Sequence, residues 1–162
     1  MNILGNKNIS AFIINADGLI CRVPSDKNTQ NPLIHAAHNQ RLAQAIDNIL
    51  YHGFKVVWIS NNAADDVKNV IRTVLGNSHE KTSVIGHELA TAKYDPCLYE
   101  RLIFEALEKR DIAPDEAILI SNNEFYINSL SSRKVLYATL IANSSEELAE
   151  CLEKINFCYL LN

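Results

Sequence analysis

The sequence has no long apolar run, no basic tract and no paired cysteines. None of its 162 residues falls in a stretch approaching the roughly 18–20 apolar residues of a membrane-spanning helix, so membrane insertion is not expected. The opening "MNILGNKNIS" lacks the charged-then-apolar pattern of an export signal. Basic side chains gather no further than "SSRKV" at 131–135, and the net charge of -4 is mild, so nucleic acid is not an expected partner. Cys21, Cys97, Cys151 and Cys158 form no CxxC pair and have no close histidine. The expectation is four reduced, mostly buried thiols in a cytoplasmic protein. His35 and His38 stand one helical turn apart but lack a third ligand, and read as exposed helix residues. Repeats, low-complexity tracts and linkers are also missing, which leaves one domain, 1–162.

Short apolar runs alternate with longer helical patterns. "SAFIINA" (10–16), "FKVVWIS" (54–60), "KTSVIG" (81–86), "EAILIS" (116–121) and "LYATLIA" (136–142) read as strands, and their near-continuous apolar character suits strands buried on both faces. Trp58 is read as core. Helical periodicity appears over 35–52, 63–75, 96–110 and 145–155. The first two end at Gly53 and Gly76, and the third begins at Asp95-Pro96, an N-cap followed by a favoured first-turn residue. Such alternation predicts an α/β, Rossmann-like three-layer fold around a parallel sheet of at least five strands. Ligands of such sheets bind at the carboxyl ends of the strands. The informative residues are therefore those around Asn15–Gly18, Ser60–Asn62 and Ser121–Asn123. The polar, proline-containing stretch 21–34 reads as a loop on that side, too short for a separate cap domain.

The first strand ends in Asn15-Ala16-Asp17-Gly18; the second closes on Ser60-Asn61 after "VVWI"; "KYDP" presents Lys93 before a helix; and "ILISNNEFYIN" places Ser121, Asn122 and Tyr126 after a fourth apolar strand. In order and spacing these features resemble the four motifs of the haloacid dehalogenase-like (HAD) phosphatases, over about residues 10–143. The resemblance implies a central first strand, no cap domain and a reaction through an aspartyl phosphate. In that family the first motif reads Asp-x-Asp-Gly. Its first Asp attacks phosphorus, its second is the general acid and base, and Mg²⁺ is held by the first Asp, a backbone carbonyl and the acids of the fourth motif. The Ser/Thr and Lys positions, here Ser60 with Asn61 and Lys93, would bind phosphoryl oxygens.

Here the pattern is worn. Asn15 stands at the nucleophile, Asn122 at the first late acid and Tyr126 at the second; Asp17 alone remains. A neutral amide lacks the charged oxygen of a carboxylate nucleophile. Amides and a protonated phenol are poor substitutes for carboxylates around a hard cation. One engineered Asp→Asn change would not need the other two losses, so Asn15 reads as native. The expectation is a catalytically inactive, degenerate HAD-like domain, without a cofactor, used for protein interaction, scaffolding or homo-oligomerisation. The alternatives are a metal-independent phosphate or nucleotide sensor, or a weak Mg²⁺-dependent phosphatase or phosphotransferase using Asp17 with Glu124. Asp17 is either a relic acid/base or an acceptor for turn amides near Gly18. Ser60 either binds an anion or caps the helix near Ala63. Asn61 and Asn62 read as turn residues, and Glu124 as a loop carboxylate or a weak metal ligand. The apolar end "NFCYLL" (156–161) is read as an added edge strand, a packed tail or a partner-binding patch.

Overall fold

The computed structural model describes residues 9–21, 38–86, 95–131 and 138–160, with the backbone alone for 129, 131 and 156–160. Five strands run in chain order: β1 (Ala11–Asn15), β2 (Lys55–Ile59), β3 (Ser83–Ile85), β4 (Ala117–Ser121) and β5 (Ala138–Ile141). They form one parallel sheet in the order β3-β2-β1-β4-β5. The first strand is central, as expected, with Ile13 opposite Val57 on one side and Leu119 on the other.

The helices are α1 (Gln40–Tyr51), α2 (Ala64–Leu75), α3 (Pro96–Glu108), α4 (Glu124–Ser131) and α5 (Ser145–Leu160). Side chains of a strand alternate between its faces, so β1 feeds two cores. Phe12 and Ile14 join Trp58, Ile46, Val67, Ile71 and Leu152, against α1, α2 and α5. Ala11 and Ile13 join Val57, Tyr99, Ile103, Leu119 and Leu130, against α3 and α4. Burial on both faces explains why β1, β2 and β4 lack polar alternation, whereas the edge strands β3 and β5 are only partly buried, contrary to expectation, because each has a neighbour on one side alone.

Some boundaries differ from expectation. The first helix begins at Gln40 because Asn39 is extended and its side chain accepts from the Leu42 amide at 3.0 Å, a cap that starts the helix there. His38 therefore precedes the helix and is exposed, so its reading as a helix residue is corrected; His35 lies outside the described residues. The terminal helix runs to Leu160, so the edge-strand reading of 156–161 is wrong through that residue: the helical pattern of Leu148, Leu152 and Ile155 simply continues. Its side chains from 156, and Leu161, lie outside the description. Cys97 is exposed on α3 and Cys151 half-buried, leaving Cys21 as the buried thiol among the three described free cysteines. The short α4 was not expected; Asn123 starts it by accepting from the Phe125 amide at 2.9 Å. No described helix is long and apolar enough to cross a membrane.

Candidate functional site at the strand ends

The strand order reverses its direction of growth at β1: the chain proceeds outward through β2 and β3, then returns to β4 and β5. The carboxyl ends of β1 and β4 consequently flank a crevice at the switch point. An open depression of about 260 Å³ lies there, lined by the amides Asn15, Asn61, Asn122 and Asn123, by Asp17 and Glu124, and by Tyr126. The structure thus brings together Asn15, Asp17, Asn61, Asn122, Glu124 and Tyr126, while Ser60 and Ser121 are buried and do not line the depression. Lys93 lies outside the described residues.

Asp17 is 4% exposed. Its carboxylate accepts from Ser60 Oγ at 2.5 Å and Asn62 Nδ2 at 2.9 Å on one oxygen, and from the Asn61 backbone amide at 2.8 Å on the other. These donors come from the end of β2, not from the turn at Gly18; the Gly18 amide instead donates to the Cys21 carbonyl at 2.7 Å. Burial pushes the Asp17 carboxyl above its ordinary range, against the pull of the Asn61, Ser60 and Asn62 donors. The neighbouring Cys21 thiol is pushed up to about 12, chiefly by burial and further by the Asp17 charge, so it is inert as a nucleophile.

Ser60 does not cap α2. The N-cap is Ala63, without a side-chain cap bond, and the acids Asp65 and Asp66 occupy the first turn, where they oppose the positive end of the helix dipole. The Ser60 hydroxyl accepts from the Asn62 amide at 2.9 Å while donating to Asp17. Ser121 repeats the local turn at the end of β4, accepting from the Asn123 amide at 3.0 Å. Asn62, expected as a turn residue, is a direct partner of the buried acid. A signal for it was present: both strand ends read Ser-Asn-Asn, at 60–62 and 121–123.

Asn15 is fully engaged. Its Nδ2 donates to the Asp17 carbonyl at 3.1 Å and to Asn122 Oδ1 at 3.0 Å, and its Oδ1 accepts from the Asp17 amide at 3.3 Å. Gly18 is required beside it on two grounds: its φ is +81°, and an added Cβ would collide with the Asn122 amide. Glu124 is exposed at the first position of α4, a helical residue on the rim and not a loop carboxylate.

Tyr126 lies in the first turn of α4 and its hydroxyl accepts a hydrogen bond from Asn61 Nδ2. Burial pushes the pKa of the Tyr126 phenol above its ordinary value, the Asn61 bond pulls it down and the Asp17 charge pushes it up. The phenol is therefore neutral at ordinary pH and supplies no charge for a cation. Its ring stacks on Tyr99, with centroids 4.5 Å apart and planes 2° from parallel. The Tyr99 hydroxyl is buried without a hydrogen-bond partner among the described residues. An unpaired buried hydroxyl costs free energy. Tyr99→Phe is accordingly expected to leave stability unchanged or raise it by up to about 1 kcal/mol in urea unfolding. A loss of that size would show that the hydroxyl has a partner.

The donor set fits Mg²⁺ poorly. Asn15, Asn122 and Tyr126 are neutral, the Asp17 carboxylate is held by three donors, and the Asp17 carbonyl already accepts from Asn15. Among the described residues no three His, Cys, Asp or Glu side chains cluster in a way that could hold a metal ion.

The sequence matches no family model and no curated protein. Solved structures do match. A 3-deoxy-D-manno-octulosonate 8-phosphate phosphatase from Yersinia pestis aligns with a TM-score of 0.62 at 12% identity, covering 93% of this chain and 82% of that one. The chain has the HAD-like fold. The cobalt-bound deoxy-D-mannose-octulosonate 8-phosphate phosphatase from Haemophilus influenzae gives 0.59 at 10% identity, covering 93% of this chain and 90% of that one. An uncharacterized protein from Listeria monocytogenes gives 0.61 at 12% identity, covering 90% of this chain and 99% of that one. A HAD-like sheet is what sets the ends of β1, β2 and β4 side by side, so the crevice described above is the fold's own strand-end crevice, furnished here with amides.

Proposed function

We propose that this HAD-like domain transfers no phosphoryl group and serves as a protein-interaction or scaffolding module, binding another protein or a second copy of itself. The observation that carries the loss of chemistry is the direct 3.0 Å hydrogen bond between Asn15 and Asn122. Two carboxylates at such positions repel and need a cation between them; two amides satisfy each other. Asn15 also offers no charged oxygen for attack on phosphorus. Asp17, the remaining motif acid, spends its carboxylate on three donors from the β2 end.

The same accounting weighs against a metal-free anion sensor. Ser60 Oγ, the Asn61 amide and Asn62 Nδ2, the donors that would face an anion, are turned on Asp17, an internal anion. A fold kept without its chemistry retains its surfaces, and function resides in sites and surfaces rather than in the fold. The described part of α1 offers one such surface feature in Tyr51, 86% exposed at its end.

The test is hydrolysis of p-nitrophenyl phosphate with Mg²⁺, Mn²⁺ or Co²⁺, beside Ser60→Ala and Asp17→Ala variants, together with sedimentation analysis of the natural chain. The expected result is no turnover above either variant and self-association or a defined complex with a protein partner. Turnover that disappears in Asp17→Ala would overturn the inactive reading. A strictly monomeric chain for which no protein partner can be isolated would overturn the interaction reading.

A further inference from the structure

We infer that the Asn15 side-chain amide acts as a built-in substitute for a cation, holding the ends of β1 and β4 together so that the natural chain needs no metal between them. Three oxygens converge around the Asn15 side chain: its own Oδ1, the Asp17 carbonyl and Asn122 Oδ1. The last comes from a residue 107 positions away in sequence. Oxygen atoms gathered in this way repel unless something positive lies among them. Asn15 Nδ2 supplies it: one hydrogen is directed at the Asp17 carbonyl at 3.1 Å and the other at Asn122 at 3.0 Å. Asn15 is 1% exposed, so water cannot take over this role without opening the crevice.

The consequence is specific. Asn15→Asp is nearly isosteric and exchanges this bridging donor for another oxygen, now charged, a few ångströms from the Asp17 carbonyl and Asn122. The variant then sets a charged carboxylate beside the Asp17 carbonyl and Asn122 Oδ1, and hard divalent cations bind oxygen sets of this kind. A single substitution is therefore expected to convert a metal-indifferent fold into a metal-dependent one. The inference deepens the functional reading at the same crevice and rests on it in taking the natural site to work without metal.

The experiment is thermal unfolding of the natural chain, Asn15→Asp and Asn122→Asp, each in EDTA, in millimolar MgCl₂ and in NaCl of equal ionic strength. The natural chain should unfold at the same temperature in all three. Asn15→Asp should lose roughly 5 °C or more in EDTA and in NaCl, and recover most of it in MgCl₂. Asn122→Asp keeps the Asn15 donor and gives it a charged acceptor, so it should remain folded and indifferent to Mg²⁺. The inference fails if Asn15→Asp is as stable as the natural chain in EDTA, if NaCl rescues it as well as MgCl₂, or if Asn122→Asp depends on Mg²⁺. Should Asn15→Asp not fold under any condition, Asn122→Asp decides on its own. Turnover by the natural chain with these shifts intact would strike the functional reading alone; absence of turnover with an Asn15→Asp insensitive to Mg²⁺ would strike this inference alone.

Discussion

Asp17→Ala is expected to lower the unfolding free energy by about 3 kcal/mol, because it removes the acceptor of three donors at once. Ser60 Oγ and Asn62 Nδ2 lose their shared acceptor, with Asn62 Nδ2 keeping a longer 3.3 Å bond to Ser60 Oγ, the Asn61 amide loses its own, and Ser60 and Asn62 are themselves buried. Each buried donor left unsatisfied costs about 1–3 kcal/mol, and water entering from the open side offsets part of the sum. For a chain of this size the change corresponds to a melting temperature lower by about 6–12 °C. Asp17→Asn should cost less, since its remaining oxygen can still accept from Ser60 and Asn62. The sign of the pH dependence follows from the same burial. The folded Asp17 carboxyl sits above its ordinary carboxylate value, so the folded chain holds this proton more tightly than the unfolded one. Its contribution is fully present below the ordinary carboxylate range and is lost as pH rises through the raised folded value. Urea unfolding across the acid range should show that decline in the natural chain and a flatter profile in Asp17→Asn. A flat natural profile, or an Asp17→Ala variant of unchanged stability, would remove Asp17 from its place as the keystone of the crevice.

Gly86→Ala should destabilise by about 2–3 kcal/mol, for a steric reason. Gly86 follows β3, and a Cβ there would stand 2.6 Å from the Ala64 backbone nitrogen and 2.8 Å from its Cα. Backbone at the start of a helix cannot yield as a flexible side chain can, so β3 and α2 must separate. Between β2 and α2 runs the loop of Ser60, Asn61 and Asn62, and the Ser60 amide itself donates to the Ile85 carbonyl at 3.0 Å. The substitution is therefore expected to disturb the Asp17 donors as well as the melting temperature. Gly53→Ala is the control: its φ of +86° makes an alanine strained, but no atom lies within 4 Å, and a cost of about 1 kcal/mol is expected. Equal effects of the two substitutions, measured by chemical denaturation, would refute the packing argument.

Much of the architecture follows from local pattern. The apolar runs at 11–15, 55–59 and 117–121 are strands because they can be buried on both faces, and Asp95-Pro96 starts α3 through the cap expected of that pair, with Asp95 accepting from the Cys97 and Leu98 amides. The short α4 escaped notice: its eight residues span little more than two turns, too few for helical periodicity to stand out. At the crevice the sequence supplies the chemical types, amides where the resembling family has acids, and with them the weakness for a hard cation.

The partners of those amides are another matter. Whether Asp17 draws its hydrogen bonds from its own turn or from Ser60, Asn61 and Asn62 depends on how closely β1 and β2 bring two loops together. Whether Asn15 idles or bridges depends on Asn122, which only the pairing of β1 with β4 brings within 3.0 Å. Residue identity determined what could donate and accept. The stacking of the sheet decided which donors met which acceptors, because hydrogen bonds are set by distance and direction in space, and the linear order of residues carries neither.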